Sequence, residues 1–293
     1  MRPQPDSSIA PPLRPMLDAA SIEVTPRTLA RVKNGRLDLP PGSEVFVAHI
    51  EGTGFADMLD ATRRLRDMGM EPVPHLPARL IADRSELGRQ LQAYRDAAGV
   101  SRALLLAGGR RQPLGSLSSS MDLVESGHFD RLGYRHLYFA GHPEGNRDID
   151  TQGGHAGVDA ALVWKQALRE RSDATLGLVT QFLFDATPVI VWSERIRAAG
   201  IDLPVRVGLA GPARLQSLMR FALECGVGAS LTVLQRRARD IRKLLVPVTP
   251  DEVIADLEAH RAAVPETRIS GLHVFPFGGV ASCTDWLRKA AQD

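Results

Sequence analysis

Glu23 stands between Ile22 and Val24 in the run Ser21-Ile-Glu-Val-Thr25, where a solvated side chain has no obvious place. If the run is a buried strand, the carboxyl must point to the interior, and burial there disfavours its charged form. A carboxyl held neutral near pH 7 is a general acid in waiting, with a structural ion pair as the alternative. Other polar groups fall in or just after apolar runs. His49 and Glu51 close the run 44–51, His75 lies in Pro74-His-Leu76, and Gly108 and Gly109 end the run 103–109. His142, Glu144 and Asn146 follow 136–141, Gln181 and Asp185 lie late in 176–185, and Phe277 precedes Gly278 and Gly279.

Each has a second explanation. His75, with prolines on either side, suits a hydrogen-bonded turn as well as a site. Gln181 interrupts Leu178-Val-Thr-Gln-Phe-Leu-Phe184, and a buried amide there must find either a ligand or a core network. Glu51 and Asp185 are equally suited to helix N-caps or solvated loops. Histidines at three run ends raise a mononuclear metal site, but no His-x-His pair is present and Pro143 restricts how His142 is presented, so no metal is expected. The two cysteines, Cys225 and Cys283, read as reduced packing residues.

The elements that position these groups follow from periodicity. Eight short apolar runs, at 21–25, 44–51, 71–77, 103–109, 136–141, 176–185, 205–210 and 271–277, alternate with segments of helical period. Helices are predicted over 55–68, 84–98, 158–171, 187–199 and 212–224, with Asp83 and Glu86 spaced as a cap and Gly99, Gly200 and Gly226 as stops. A further amphipathic helix is predicted within 228–249, between the seventh and eighth strands. Eight strand–helix pairs give a (βα)8 barrel, in which all strand C-termini meet on one face. The absence of a G-x-G-x-x-G turn after the first strand counts against an open dinucleotide-binding sheet. Residues 1–16, rich in proline, read as a mobile arm, leaving 17–293 for a single barrel domain.

The chain of 293 residues is 44% hydrophobic and 24% charged, with a net charge of +2. Its densest basic stretch, 235–243, is broken by Asp240 and has helical spacing, so no nucleic-acid partner is expected. No apolar run approaches a membrane span and the N-terminus lacks a signal-peptide pattern, which predicts a cytoplasmic protein with no membrane partner.

Four of these stretches, taken in order, resemble the methylenetetrahydrofolate reductases, flavin-dependent (βα)8 barrels that move a hydride between FAD and the one-carbon unit of folate. They are Ile22-Glu-Val-Thr-Pro26, Pro74-His-Leu76, Ala140-Gly-His-Pro-Glu-Gly145 and Thr180-Gln-Phe-Leu-Phe-Asp185. The resemblance spans most of 17–293. It implies that Glu23 protonates the folate so that its methylene bridge opens to an iminium, and that Gln181 hydrogen-bonds the pterin, with Glu51, Asp185 and Phe277 as further substrate contacts. It implies FAD beside His49, His75, Gly108, Gly109, His142, Glu144 and Asn146, with Lys165 near the diphosphate, and NAD(P)H as cosubstrate. It also implies a homo-oligomer, and an anionic folate suits Arg79, Arg110 and Arg111 near the mouth.

The sequence departs from the family where strand four usually ends in Gly-Asp; here it reads Ala107-Gly-Gly109, without the carboxylate. A missing negative charge there would raise a flavin's reduction potential and favour the oxidase direction. Ala48 and His49 likewise replace a threonine and a tyrosine. A flavin-free folate enzyme and a non-catalytic folate-binding barrel therefore stay open beside the flavoenzyme.

Overall fold

The computed structural model describes residues 14–32, 35–224 and 247–291. Eight parallel strands close into a barrel in sequence order: β1 (Ser21–Val24), β2 (Glu44–Val47), β3 (Glu71–Pro77), β4 (Arg102–Leu106), β5 (His136–Gly141), β6 (Thr175–Leu183), β7 (Val205–Ala210) and β8 (Ile269–Phe275). All eight expected strands are present, and the architecture is a (βα)8 barrel. Helices Phe55–Asp67, Arg84–Ala98, Ala156–Arg169, Thr187–Ala198 and Leu215–Glu224 fall where the apolar period predicts them, and Asp251–Ala263 and Val280–Ala290 complete the described part of the outer layer. Asp83 accepts from the Glu86 N–H and Gly99 ends its helix at φ 57°, as the spacing requires. Cys225, Gly226 and most of the helix predicted within 228–249 lie outside the described residues.

One boundary differs from expectation. Arg14–Asp18 is a helical turn rather than the end of an arm, because Met16, 1% exposed, and Leu17 are buried in the core.

Residues paired across parallel strands face the same side, so the register identifies the interior positions. The interior is stratified. At the strand N-termini lie Glu44, Arg102 and Arg206, with the Tyr138 hydroxyl among them. Above them, Phe46, Val73, Leu104 and Val179 form an apolar layer. Above that, toward the strand C-termini, Glu23, His75 and His273 face one another. A Cβ at Gly177 would sit 3.2 Å from the Tyr138 ring, so glycine there leaves space for the tyrosine.

Strand β6 carries a bulge. Val179 pairs with Arg206 and Phe182 with Gly208, three steps on one strand against two on the other. A Cβ at Gly208 would lie 2.4 Å from the Thr180 carbonyl oxygen and 2.5 Å from that of Gln181, so the bulge requires glycine opposite it. The Gly208 N–H donates to the Thr180 hydroxyl at 2.8 Å and the hydroxyl donates to the Gln181 carbonyl, which fixes the distortion.

Candidate functional site

Glu23 is delivered by the alternation of β1: Ile22 and Val24 pack outward against the helices, and Ser21 and Glu23 face the interior. Its Oε2 lies 3.4 Å from Nε2 of His75 and 3.6 Å from Nε2 of His273. Although 19% of its side chain reaches solvent, the carboxyl sits among buried groups, and desolvation raises its pKa against the weaker opposing pull of His75. The histidines respond in the opposite sense. Burial lowers His75 to about 4, with Glu23 partly opposing, and lowers His273 to about 3, with Arg206 adding to the effect. Near neutral pH both imidazoles are uncharged. Both Nε2 atoms are buried without a hydrogen-bond partner, which leaves the carboxyl as the polar group they face.

His273 was not among the expected site residues. It lies between Leu272 and Val274, the same pattern that singles out Glu23, and β8 alternation would have found it. Its Nδ1 is 2.9 Å from the Ser21 hydroxyl.

The remaining expected residues separate into two arcs around the mouth. On the β2–β5 side, His49 donates Nε2–H to the Thr53 carbonyl at 3.0 Å, and burial lowers its pKa. Glu51 pairs with Arg110 at 3.2 Å, joining the loops after β2 and β4. Arg79 reaches Asp148 at 2.7 Å and the carbonyl of Arg110 at 2.9 Å, joining the loops after β3, β4 and β5. Gly108 has φ 94°, and a Cβ there would press to 2.9 Å from Pro77 Cβ, whereas Gly109 has no positive φ and nothing within 4 Å of a Cβ.

The stretch after β5 is a tight turn in which the Gly145 N–H donates to the His142 carbonyl at 3.1 Å. Asn146 lies 3.4 Å from His142 Nδ1 and accepts from the Asp148 N–H, and Glu144 is half-buried in the turn. Burial, then the nearby Lys165, lowers His142 to about 4.

On the β6–β8 side the wall is aromatic. The bulge carries Phe182 to the interior position opposite Gly208, where its ring meets Phe184, Phe275 and Phe277 edge-on at 5.7, 5.7 and 4.7 Å. Phe277 also stacks on Phe221 at 4.3 Å. Gln181 departs from the buried amide that the apolar run predicts: it sits in the bulge and its side chain is exposed. Asp185 is exposed and accepts from the Thr187 N–H at 2.8 Å, but the N-cap it was expected to supply falls one residue later, at Ala186.

FAD, held as the resemblance implies, does not fit this residue set well. Lys165 is 5% exposed, donates to the Ala140 carbonyl at 3.1 Å and lies 5.5 Å from the Phe139 ring centre. Burial lowers its pKa to about 8. That ammonium is committed to the β5 backbone rather than presented to a diphosphate, and position 109 offers no carboxylate to a flavin.

No protein-family model matches the chain. Among solved structures it is similar to an uncharacterized protein from Clostridium thermocellum described as binding two copies of 5-methyl-5,6,7,8-tetrahydrofolic acid, with a TM-score of 0.55 and 11% identity over 94% of this chain and 98% of that one. It also matches Yersinia pestis DHPS with a pterine-sulfa conjugate, at a TM-score of 0.44 and 11% identity over 94% of each chain. At these identities the first likeness speaks for the barrel fold. Among the described residues, no helix is long and apolar enough to cross a membrane, and no three or more His, Cys, Asp or Glu are placed to hold a metal ion.

Proposed function

We propose that this barrel binds a reduced folate at its C-terminal mouth and interconverts 5,10-methylene- and 5-methyltetrahydrofolate, with Glu23 as the general acid and NAD(P)H as the redox partner. The observation that carries this reading is a desolvated carboxyl, its pKa raised, facing two uncharged imidazoles at the catalytic end of a barrel. The four ordered motifs of the sequence support the substrate class, as does the similarity in fold to a protein described as binding 5-methyltetrahydrofolate.

In the reducing direction the neutral Glu23 gives its proton to the bridge nitrogen, the C–N bond opens to an iminium, and hydride from the nicotinamide reduces that carbon. One proton and one hydride are consumed, giving the methyl-folate and NAD(P)+. Gln181, exposed at the bulge, would hydrogen-bond the pterin, and the half-buried Phe277 would give the pterin apolar contact. Arg110 and Arg79 are paired with Glu51 and Asp148, so a glutamate tail would have to displace or share those carboxylates to reach them.

The deciding experiment mixes purified protein with methylenetetrahydrofolate and NADH or NADPH under anaerobic conditions, with a visible spectrum recorded throughout. Methyl-folate formed by a colourless protein supports the reading as stated. A yellow chromophore bleached by nicotinamide and restored by folate would add FAD as the carrier. Folate binding without turnover would leave a folate-binding barrel, and no folate binding would overturn the proposal.

A further inference from the structure

Behind Glu23 the structure places a group that contacts no solvent. His273 is fully buried, with one ring nitrogen on Ser21 and the other aimed at the Glu23 carboxyl. The Ser21 hydroxyl has a second neighbour, the Leu272 carbonyl at 3.3 Å, and a carbonyl can only accept. If the hydroxyl hydrogen goes to Leu272, the Ser21 oxygen is left as an acceptor, and the proton on His273 belongs on Nδ1. Nε2 then carries a lone pair and no hydrogen. A lone pair facing a carboxyl oxygen is satisfied only when that oxygen carries the proton.

We infer that Ser21 and His273 are positioning residues for the acid: Ser21 fixes His273 in its Nδ1–H tautomer, and the Nε2 lone pair holds the Glu23 proton on Oε2. The gap of 3.6 Å is longer than a hydrogen bond and closes with a small side-chain movement, as catalytic contacts commonly do on ligand binding. The second imidazole fits the same scheme. A single O–H donates to one acceptor, so His75, on the same oxygen, approaches with its Nε2–H.

The surroundings favour an uncharged His273. Below it lie Arg206 from β7 and Glu44 from β2, and Phe46 packs edge-on at 4.6 Å; His49 is the further titratable group near His75. The arginine disfavours a second proton on His273, so the proton stays with Glu23 until a substrate nitrogen takes it.

This deepens the reading of Glu23 as the acid, and it can be tested without substrate. Nitrogen-15 spectra of the histidine rings in the wild-type protein give the His273 tautomer directly, assigned by its loss in His273→Gln. The protonated-carboxyl band in infrared spectra, assigned by its loss in Glu23→Gln, gives the Glu23 titration. The expected results are Nδ1–H on His273 and, in Ser21→Ala, a Glu23 midpoint lower by about one pH unit, a tenfold change in acid dissociation, since the freed imidazole can turn Nε2–H toward a carboxylate. Ser21→Thr, which keeps the hydroxyl, should restore the midpoint. An Nε2–H tautomer in the wild type, or an unmoved midpoint in a folded Ser21→Ala protein, would overturn the inference. Failure of the folate assay would leave both readouts intact.

Discussion

The two ends of the barrel interior each hold a carboxylate-bearing residue, and the two are treated in opposite ways. At the floor, Glu44 is met by Arg102 and the Tyr138 hydroxyl, each at 2.7 Å, and by Arg206. At the mouth, Glu23 meets two imidazoles that burial keeps uncharged. Charged donors surround the first carboxyl; uncharged rings and apolar surface surround the second. The residue type is the same, so the neighbours decide which glutamate ties the barrel floor together and which is pushed toward its neutral form.

That contrast breaks most visibly when each glutamate is replaced. Glu44→Ala leaves the half-buried Arg206 without its anion and Arg102 with only Glu71, 3.7 Å away, and should cost about 3–5 kcal/mol in urea unfolding. Glu23→Gln should leave the unfolding midpoint nearly unchanged while lowering folate turnover about 10²–10⁴-fold with binding retained. A turnover defect in a fully folded Glu44 variant, or a large stability loss in Glu23→Gln, would reverse the assignment of roles.

Acid should separate the ends next. His75 and His273 have folded pKa values below their unfolded ones, so their contribution to stability is present above about pH 6.5 and lost as pH falls toward about 4 and about 3. Within that window each contributes a slope of about 1.4 kcal/mol per pH unit, and His273→Gln should flatten the profile by one histidine. Turnover runs the other way at high pH: if neutral Glu23 is the donor, the rate of methylene-folate reduction falls as pH rises through its raised pKa. Smaller effects test the wall. Gly208→Ala drives a Cβ into two carbonyl oxygens and should cost about 1–3 kcal/mol. Gly109→Asp meets open space and should change stability by less than about 0.5 kcal/mol, so any change in folate or flavin affinity it causes can be assigned to charge.

Most of the barrel was legible because its strands are buried on both faces and read as continuous apolar runs between helical segments. Glu23 was legible for the same reason, as a polar break in such a run. His273 makes an identical break in β8, between Leu272 and Val274, but the glycine pair beyond Phe277 is the stronger local signal in that stretch. The floor was missed for a physical reason: Glu44, Arg102 and Arg206 lie at or near strand starts, where charge looks like ordinary solvation until the closed register brings them together. The exposure of Gln181 was not legible, since nothing in Thr180-Gln-Phe announces an added residue; the demand is written across the barrel, at Gly208.

That added residue has a consequence for how a ligand enters. A barrel of eight equivalent units has no preferred direction across its opening. By shifting the inward phase of one strand, the β6 bulge gathers phenylalanines along one side and leaves the arginine-laced loops along the other. The opening acquires a compass bearing, with aromatic rings on one side and arginine–carboxylate pairs on the other.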